Sequence, residues 1–278
     1  MRRILKLVLI APLVLFTLTW LGLAIIVATR DDALPPPADP ASFPGTVAIL
    51  GASGTAGDGI LAAALADPGV ETIRVITRRI TPRIQTGIDS GKVEATMHTD
   101  YLDYGPVRGQ LADVDAVFWA IGTSSIGVDE DTYRRIHVAF PREFLAEWLS
   151  ASTRPAASFH YISSSDISPD SSAMWARVKV EAEDTLFALA RGTHVRVVAY
   201  RPDYIRPTAQ ERHLGQNLLY WFFAPVGAAV EATDIGGAML EVAARPKEFG
   251  HGDRLGTRRI VHFGSAHDAR LGAATQGR

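Results

Sequence analysis

The run TVAILGASGTAGDGILAAALA, residues 46–66, decides how the rest of the chain is read. An apolar strand, Thr46 to Leu50, turns through GASGTAG at 51–57 into a helix that carries the small-residue run Ile60 to Ala66. In such a turn Gly51 supplies the tight bend, Gly54 lets backbone approach a pyrophosphate, and Gly57 lets helix and strand pack closely. Phosphates then sit at a helix N-terminus, where unpaired N–H groups and the helix dipole favour anions. Gly51, Ser53, Gly54, Thr55, Ala56 and Gly57 are therefore candidate cofactor-binding residues, against the plainer alternative of a structural glycine turn. The loop has no Lys, unlike a P-loop, and position 55 is Thr where a G-x-S-x-G nucleophile elbow needs Gly.

Downstream, Thr72 to Thr77 predicts a second buried strand, followed by Arg78 and Arg79. An NAD site places an acidic residue near this point for the ribose 2′-hydroxyl, whereas Arg suits a 2′-phosphate, so NADP is the expected cofactor and Arg78 its contact. Val93 to Met97 predicts the third strand, ending near Asp100 and Tyr101, which would flank an adenine. Asp115 to Ile121 predicts the fourth and runs into Gly122 and Thr123, where a nicotinamide ribose would lie. A helix is expected over 130–150, kinked at Pro141, with core aromatics Phe140, Phe144 and Trp148. The fifth strand, Phe159 to Ile162, ends in Ser163, Ser164, Ser165 and Asp166, at the edge where ligands enter open α/β sheets. Helix 172–190 carries Lys179, and Val195 to Tyr200 predicts the sixth strand. Strands alternating with helices imply an α/β fold with a doubly wound parallel Rossmann sheet and right-handed crossovers. Leu218 to Val230 is too short to span a bilayer and reads as a buried or interfacial segment; helix 233–244, strand 258–263 and a frayed tail over 265–278 complete the expectation.

Upstream, residues 7–28 contain no charge, and about 20 apolar residues suffice to cross a bilayer core. One N-terminal transmembrane helix within 1–28 is expected, longer than the apolar region of a cleaved signal peptide. A Pro-rich linker, 29–44, would join it to a Rossmann domain at 45–264. A net charge of −2 offers no basic field for nucleic acid. The absence of Cys excludes disulfides and thiolate zinc sites, and no metal site is expected.

Taken in order, GASGTAG at 51–57, VITRR at 75–79, Asp100 with Tyr101, VFWAIGTSS at 117–125, YISSSD at 161–166, Lys179, YRPDYI at 200–205 and ATDIGGAML at 232–240 resemble the atypical short-chain dehydrogenase/reductase superfamily, in its NmrA-like and Tat-interacting-protein oxidoreductase branch. The resemblance covers about 45–264. It implies an NADP-binding domain with Ser164 or Ser165 and a Tyr-x-x-x-Lys pair beside the nicotinamide, so that Lys179, Ser164 and Ser165 are the candidate catalytic residues and Lys179 is also a candidate cofactor contact. In that mechanism the Tyr passes the proton, the Lys lowers its pKa, and the Ser holds the carbonyl oxygen. Here the position four before Lys179 is Trp175, and an indole N–H only donates. Tyr204, at the end of the sixth strand, is the one substitute acid in view.

The functional expectation is thus a membrane-anchored, NADP-binding oxidoreductase-like protein acting by hydride transfer on a small carbonyl or enone. Its alternative is a non-catalytic NADP(H)-sensing regulator with a protein partner. Arg2, Arg3 and Lys6 before the helix against Arg30 after it would put the domain outside, whereas cofactor supply puts it in the cytoplasm. The cytoplasmic side is the expectation.

Overall fold

The computed structural model describes residues 2–29, 34, 43–210 and 214–276, with side chains of the first helix described from Pro12 on. That helix, α1, is Arg2–Ala28. Most of the 29–44 linker lies outside the described residues.

Strands β1 (Thr46–Leu50), β2 (Thr72–Thr77) and β3 (Val93–Met97) alternate with helices α2 (Thr55–Ala66) and α3 (Pro82–Asp89). Then follow β4 (Ala116–Trp119), the short helix α4 (Glu130–Arg134), α5 (Phe140–Ala151), β5 (Ala157–Ile162), α6 (Met174–Ala190) and β6 (Val195–Arg201). The remaining elements are β7 (Tyr204–Arg206), α7 (Leu214–Phe223), β8 (Ala229–Glu231), α8 (Ala232–Ala243), β9 (Arg254–Gly256) and α9 (Thr257–Gln276). The main sheet has seven parallel strands in the order β3-β2-β1-β4-β5-β6-β9, and β7 pairs with β8 in a separate ribbon. Val47 is aligned with Ile73 on one side and Ala116 on the other, which puts β1 at the middle of the reversal in strand order.

Successive side chains of a strand point to opposite faces, and both faces here are covered. Val47 and Ile49 enter a core shared with α2 and α8; Ala48 and Leu50 enter a second core with Trp119, Phe144, Trp148 and Phe159. That is why β1 reads as an unbroken apolar run. The cover on the first face is unusually close, because a Cβ at Gly59 of α2 would lie 2.3 Å from the backbone of Ala232 in α8.

The kink expected at Pro141 takes the form of a π turn over Arg135–Ala139. Proline has no N–H to give the carbonyl four residues back, at His137, and the fully buried Tyr161 hydroxyl donates to that oxygen instead, at 3.1 Å. The chain beyond the sixth strand needs correction. Residues 258–263 are not a strand but the opening of α9, and 265–276 continue that helix rather than fraying. The seventh strand is the three-residue β9, just before it. The run 218–230 is not buried as a unit: Leu218, Leu219, Trp221 and Phe222 are exposed. Among the described residues, which in α1 begin with the side chain of Pro12, no helix is long and apolar enough to cross a membrane.

Candidate functional site

The glycine turn between β1 and α2 is built as its spacing requires. Gly51 has φ +86°, and a Cβ there would sit 2.6 Å from the carbonyl carbon of Ala120 on the neighbouring strand's exit. A Cβ at Gly57 would lie 2.0 Å from the Gly51 oxygen. Gly54 precedes α2 in an extended conformation with no side chain capping the first turn, and Gly54 and Thr55 are exposed while Ala56 is half-buried. The first amides of α2 therefore face the open side of the sheet, free to bind an anion. Asp58, the acid in that first turn, is neutralised: it is buried against Arg83, whose Nε is 2.7 Å away, and accepts from Thr208.

A cleft of about 480 Å³ opens over this turn. Gly51, Ser53 and Gly54 form its floor, Thr77 to Arg79 and Tyr101 one wall, and Ala120 to Gly122 the other; no acidic residue lines it. Arg79 is fixed by a 2.8 Å hydrogen bond to the Ser53 carbonyl. Arg78 is exposed, with its guanidinium 5.9 Å from the centre of the Tyr101 ring, and among the described residues no carboxylate pairs with it. Burial pushes the Tyr101 phenol up, with Arg78 opposing. Six expected contacts are not in this lining: Thr55, Ala56 and Gly57 lie on the first turn of α2, Lys179 is buried on α6, and Asp100 and Thr123 lie elsewhere. Asp100 is turned into its own bend, accepting from the Leu102 N–H at 3.0 Å, and does not line the cleft. Thr123 also falls outside the lining, its N–H against His137 Nε2 at 3.3 Å.

Lys179 is only 6% exposed, and its Nζ donates to the Ile162 carbonyl at 3.0 Å and lies 3.4 Å from the Tyr161 hydroxyl. Burial lowers its pKa to about 7, against an opposing pull from Glu183 one turn along α6. His137 is driven to about 3 by burial and by the charge of Lys179, so it is neutral near pH 7. Tyr161 cannot replace the missing phenol, because full burial pushes it well above the ordinary tyrosine range and its proton is committed to His137 O. Tyr204 is committed as well: its hydroxyl donates to Gln216 O at 3.1 Å and its ring stacks on Phe223. Ser164 and Ser165 are half-buried at the end of β5, followed by Asp166 in the left-handed region at φ 52°. Trp175 packs its ring against the second core.

The parallel Rossmann-like α/β fold is shared, at low sequence identity, with solved oxidoreductases and epimerases. An oxidoreductase of the short-chain dehydrogenase/reductase family from Burkholderia thailandensis superposes with a TM-score of 0.61, at 18% identity over 78% of this chain and 92% of that one. BdcA, solved in complex with NADPH, gives 0.60 at 18% identity, covering 78% and 93%. UDP-glucuronic acid 4-epimerase from Bacillus cereus, solved with NAD, gives 0.58 at 16% identity, covering 76% of each chain. In sequence, the chain is 27% identical over 186 residues to "Protein fmp52, mitochondrial" of Emericella nidulans, covering 65% of this chain and 76% of that protein. No family model matches.

Three features of the site were not foreseen. Arg79, not only Arg78, is held at the cleft by the glycine loop; the pair of arginines was visible, but not which of them the loop would hold. Glu183, 1% exposed, is clamped by Arg201 at 2.6 Å and Arg254 at 2.7 Å; burial would raise its carboxyl, but the hydrogen bonds from these two arginines outweigh that and hold it low. A second cavity of about 480 Å³ lies by β8, with Val27 of α1, Tyr220, Glu231, Asp234 and Arg258 in its lining. Burial raises Asp234 to about 6. Only long-range packing brings Val27 to residues two hundred positions away.

Proposed function

We propose that the chain binds a nicotinamide dinucleotide, NADP(H) in preference to NAD(H), in the cleft over Gly51 and Gly54. The carrying observation is the lining: an uncapped helix N-terminus beside two arginines, with no carboxylate to receive a ribose 2′-hydroxyl. The cradle fits the group, since bulk at the floor is kept down by glycines and the exposed Arg78 is available to a 2′-phosphate. A charge-assisted contact there contributes on the order of 1.5 to 3 kcal/mol, or about 10- to 100-fold in affinity. Calorimetric titration is expected to show NADPH binding tighter than NADH, with Arg78→Asp reversing the order. Equal dissociation constants would remove the preference.

When bound, the cofactor supplies or accepts a hydride at its nicotinamide ring. In the enzyme reading, Lys179, Ser164 and Ser165 serve a small carbonyl or enone substrate, the serines holding the oxygen that gains negative charge. The rival reading, a non-catalytic NADP(H) sensor of the NmrA-like kind with a protein partner, is favoured by one observation: neither Trp175 nor the committed Tyr161 can give a proton at this position. General acid catalysis typically contributes about 10²- to 10⁴-fold, so the protein's reductase rate is expected to be slow or absent. NADPH oxidation with a panel of carbonyl compounds, read against Lys179→Ala, decides between the two. Fast turnover in the parent that survives Lys179→Ala and Ser164→Ala would place the chemistry elsewhere.

The same proposal includes a single-pass anchor over residues 7–28 and a domain on the cytoplasmic side. Supporting the anchor, α1 is continuous for 27 residues, about 40 Å at ~1.5 Å per residue, and its described side chains are mostly exposed and apolar but for Thr17 and Thr19, whose hydroxyls bond back to the helix. Resistance to alkaline carbonate extraction is the expected result; release into the supernatant would contradict an anchor.

A further inference from the structure

We infer that α7 is a second membrane element, lying in the leaflet next to the domain with its outer face in the acyl chains. This inference rests on the anchor proposed above and adds to it. The inner face of α7 is pinned to the domain: Gln216 O accepts from Tyr204, Arg206 reaches Asn217 at 3.1 Å, and the Arg206 guanidinium lies 4.2 Å from the Tyr220 ring centre. Arg206 is itself neutralised by Glu231 at 2.6 Å. The outer face carries Leu218 (61% exposed), Trp221 (64%) and Phe222, which fall on one side at i, i+3 and i+4, with Leu219 beside them. No charged residue occurs in LGQNLLYWFF, residues 214–223. A bare apolar face of this kind on a soluble surface marks an interaction site or a membrane contact.

Its position relative to α1 selects the bilayer. Phe16 stacks on Phe222 with centroids 6.0 Å apart, and the Trp20 indole donates to Phe222 O at 3.0 Å. A Cβ at Gly227, just beyond α7, would lie 3.4 Å from Val27. At ~1.5 Å per residue, Trp20 stands about 12 Å and Phe16 about 18 Å along α1 from its end at Ala28. The hydrocarbon of one leaflet is about 15 Å thick. If α1 spans, the residue that packs on both Phe16 and Trp20 is below the headgroups, and α7 goes with it. A helix satisfies its own backbone hydrogen bonds, so its immersion carries no unpaired ladder. Apolar Leu, Trp and Phe on the lipid side with a polar inner side held by the domain are the amphipathic pattern that a helix seated in one leaflet requires.

The chain contains no Cys, so single-cysteine variants report one site each. Leu218→Cys and Trp221→Cys test α7, Leu18→Cys tests the anchor, and Met97→Cys, 56% exposed on the edge strand β3, is the aqueous control. Each full-length variant is labelled with an environment-sensitive fluorophore and reconstituted into phosphatidylcholine vesicles with or without nitroxide-labelled lipid. The expected result is blue-shifted emission and at least twofold quenching by the lipid nitroxide at 18, 218 and 221, and iodide quenching alone at 97. Lipid quenching at 18 with aqueous emission at 218 and 221 overturns the α7 inference and leaves the anchor standing. Aqueous emission at 18 as well overturns both. Blue-shifted emission at 218 and 221 without lipid quenching shows a protein covering the face, a second copy or a partner, and also overturns it.

Discussion

Pro141 and Tyr161 illustrate how one residue's missing atom sets another's role. The His137 carbonyl has lost the N–H that residue 141 would give, and a buried tyrosine hydroxyl from β5 fills the vacancy. Tyr161→Phe should therefore cost about 1 to 3 kcal/mol by leaving a buried carbonyl unpaired. Pro141→Ala restores an N–H to the same oxygen, so in the Tyr161→Phe background it should recover part of that loss. Urea unfolding of the two single variants and the double gives the coupling, and strict additivity would show that the two groups do not serve the same carbonyl. Lys179, next to that hydroxyl, makes a second prediction. Its folded pKa, about 7, lies below the ordinary 10.5, so the unfolded chain binds more protons between those values. The stability it contributes is fully present above pH 10.5 and is lost as pH falls toward 7. Between pH 7.5 and 9.5 the parent should gain stability relative to Lys179→Met with a slope approaching ~1.4 kcal/mol per pH unit. Parallel curves for the two proteins would mean the ammonium is solvated.

At the scale of elements, α9 shows what holds a helix that its sequence hides. Ile260 and Phe263 give it a narrow apolar stripe, and the next two turns are attached by charge instead. His267 lies 3.1 Å from the fully buried Asp67, and Arg270 bridges Asp67 to Glu241 of α8, with 2.9 Å to the latter. Burial would raise the Asp67 carboxyl, but hydrogen bonds from His267, Arg270 and the Gly69 N–H outweigh it and hold it well below its ordinary 3.8. Because the folded pKa is depressed, this stabilisation is present above pH 3.8 and is lost as pH falls below it. Arg270→Met leaves two buried carboxylates short of a partner and should destabilise by about 3 kcal/mol. Thermal or urea unfolding at pH 7 measures it; an unchanged midpoint would mean that these contacts do not hold the tail. A polar stretch reads as frayed because periodicity registers only apolar contacts, and Asp67, the partner shared by His267 and Arg270, is some two hundred residues away.

For the whole molecule, the parts legible in sequence are those whose burial is two-sided or whose backbone is special. β1 is apolar on both faces and therefore continuous, β2 and β6 are broken internally only by Arg74 and Arg196, and Gly51 and Gly57 occupy positions where a side chain would collide. The three-residue β9, the turn of Asp100 away from the cleft and the approach of Val27 to the second cavity are set by packing between distant segments, which no local pattern records. The side of the membrane is the remaining property of the whole chain, and two physical arguments oppose each other. Arg2, Arg3 and Lys6 before α1 outnumber Arg30 after it, which favours an external domain, since acidic residues such as Asp31 and Asp32 contribute little to orientation. Against this, the proposed nicotinamide dinucleotide site would be useful only where that cofactor is supplied. The charge bias is a few residues and statistical, whereas the cleft, its arginines and its uncapped helix form one consistent arrangement. The domain is therefore predicted to be cytoplasmic. Protease added to sealed cells, or to spheroplasts where an outer membrane intervenes, should leave residues 43–276 uncut until detergent is added. Digestion before detergent, with a cytoplasmic marker intact, would place the domain outside and remove NADPH-dependent catalysis from consideration.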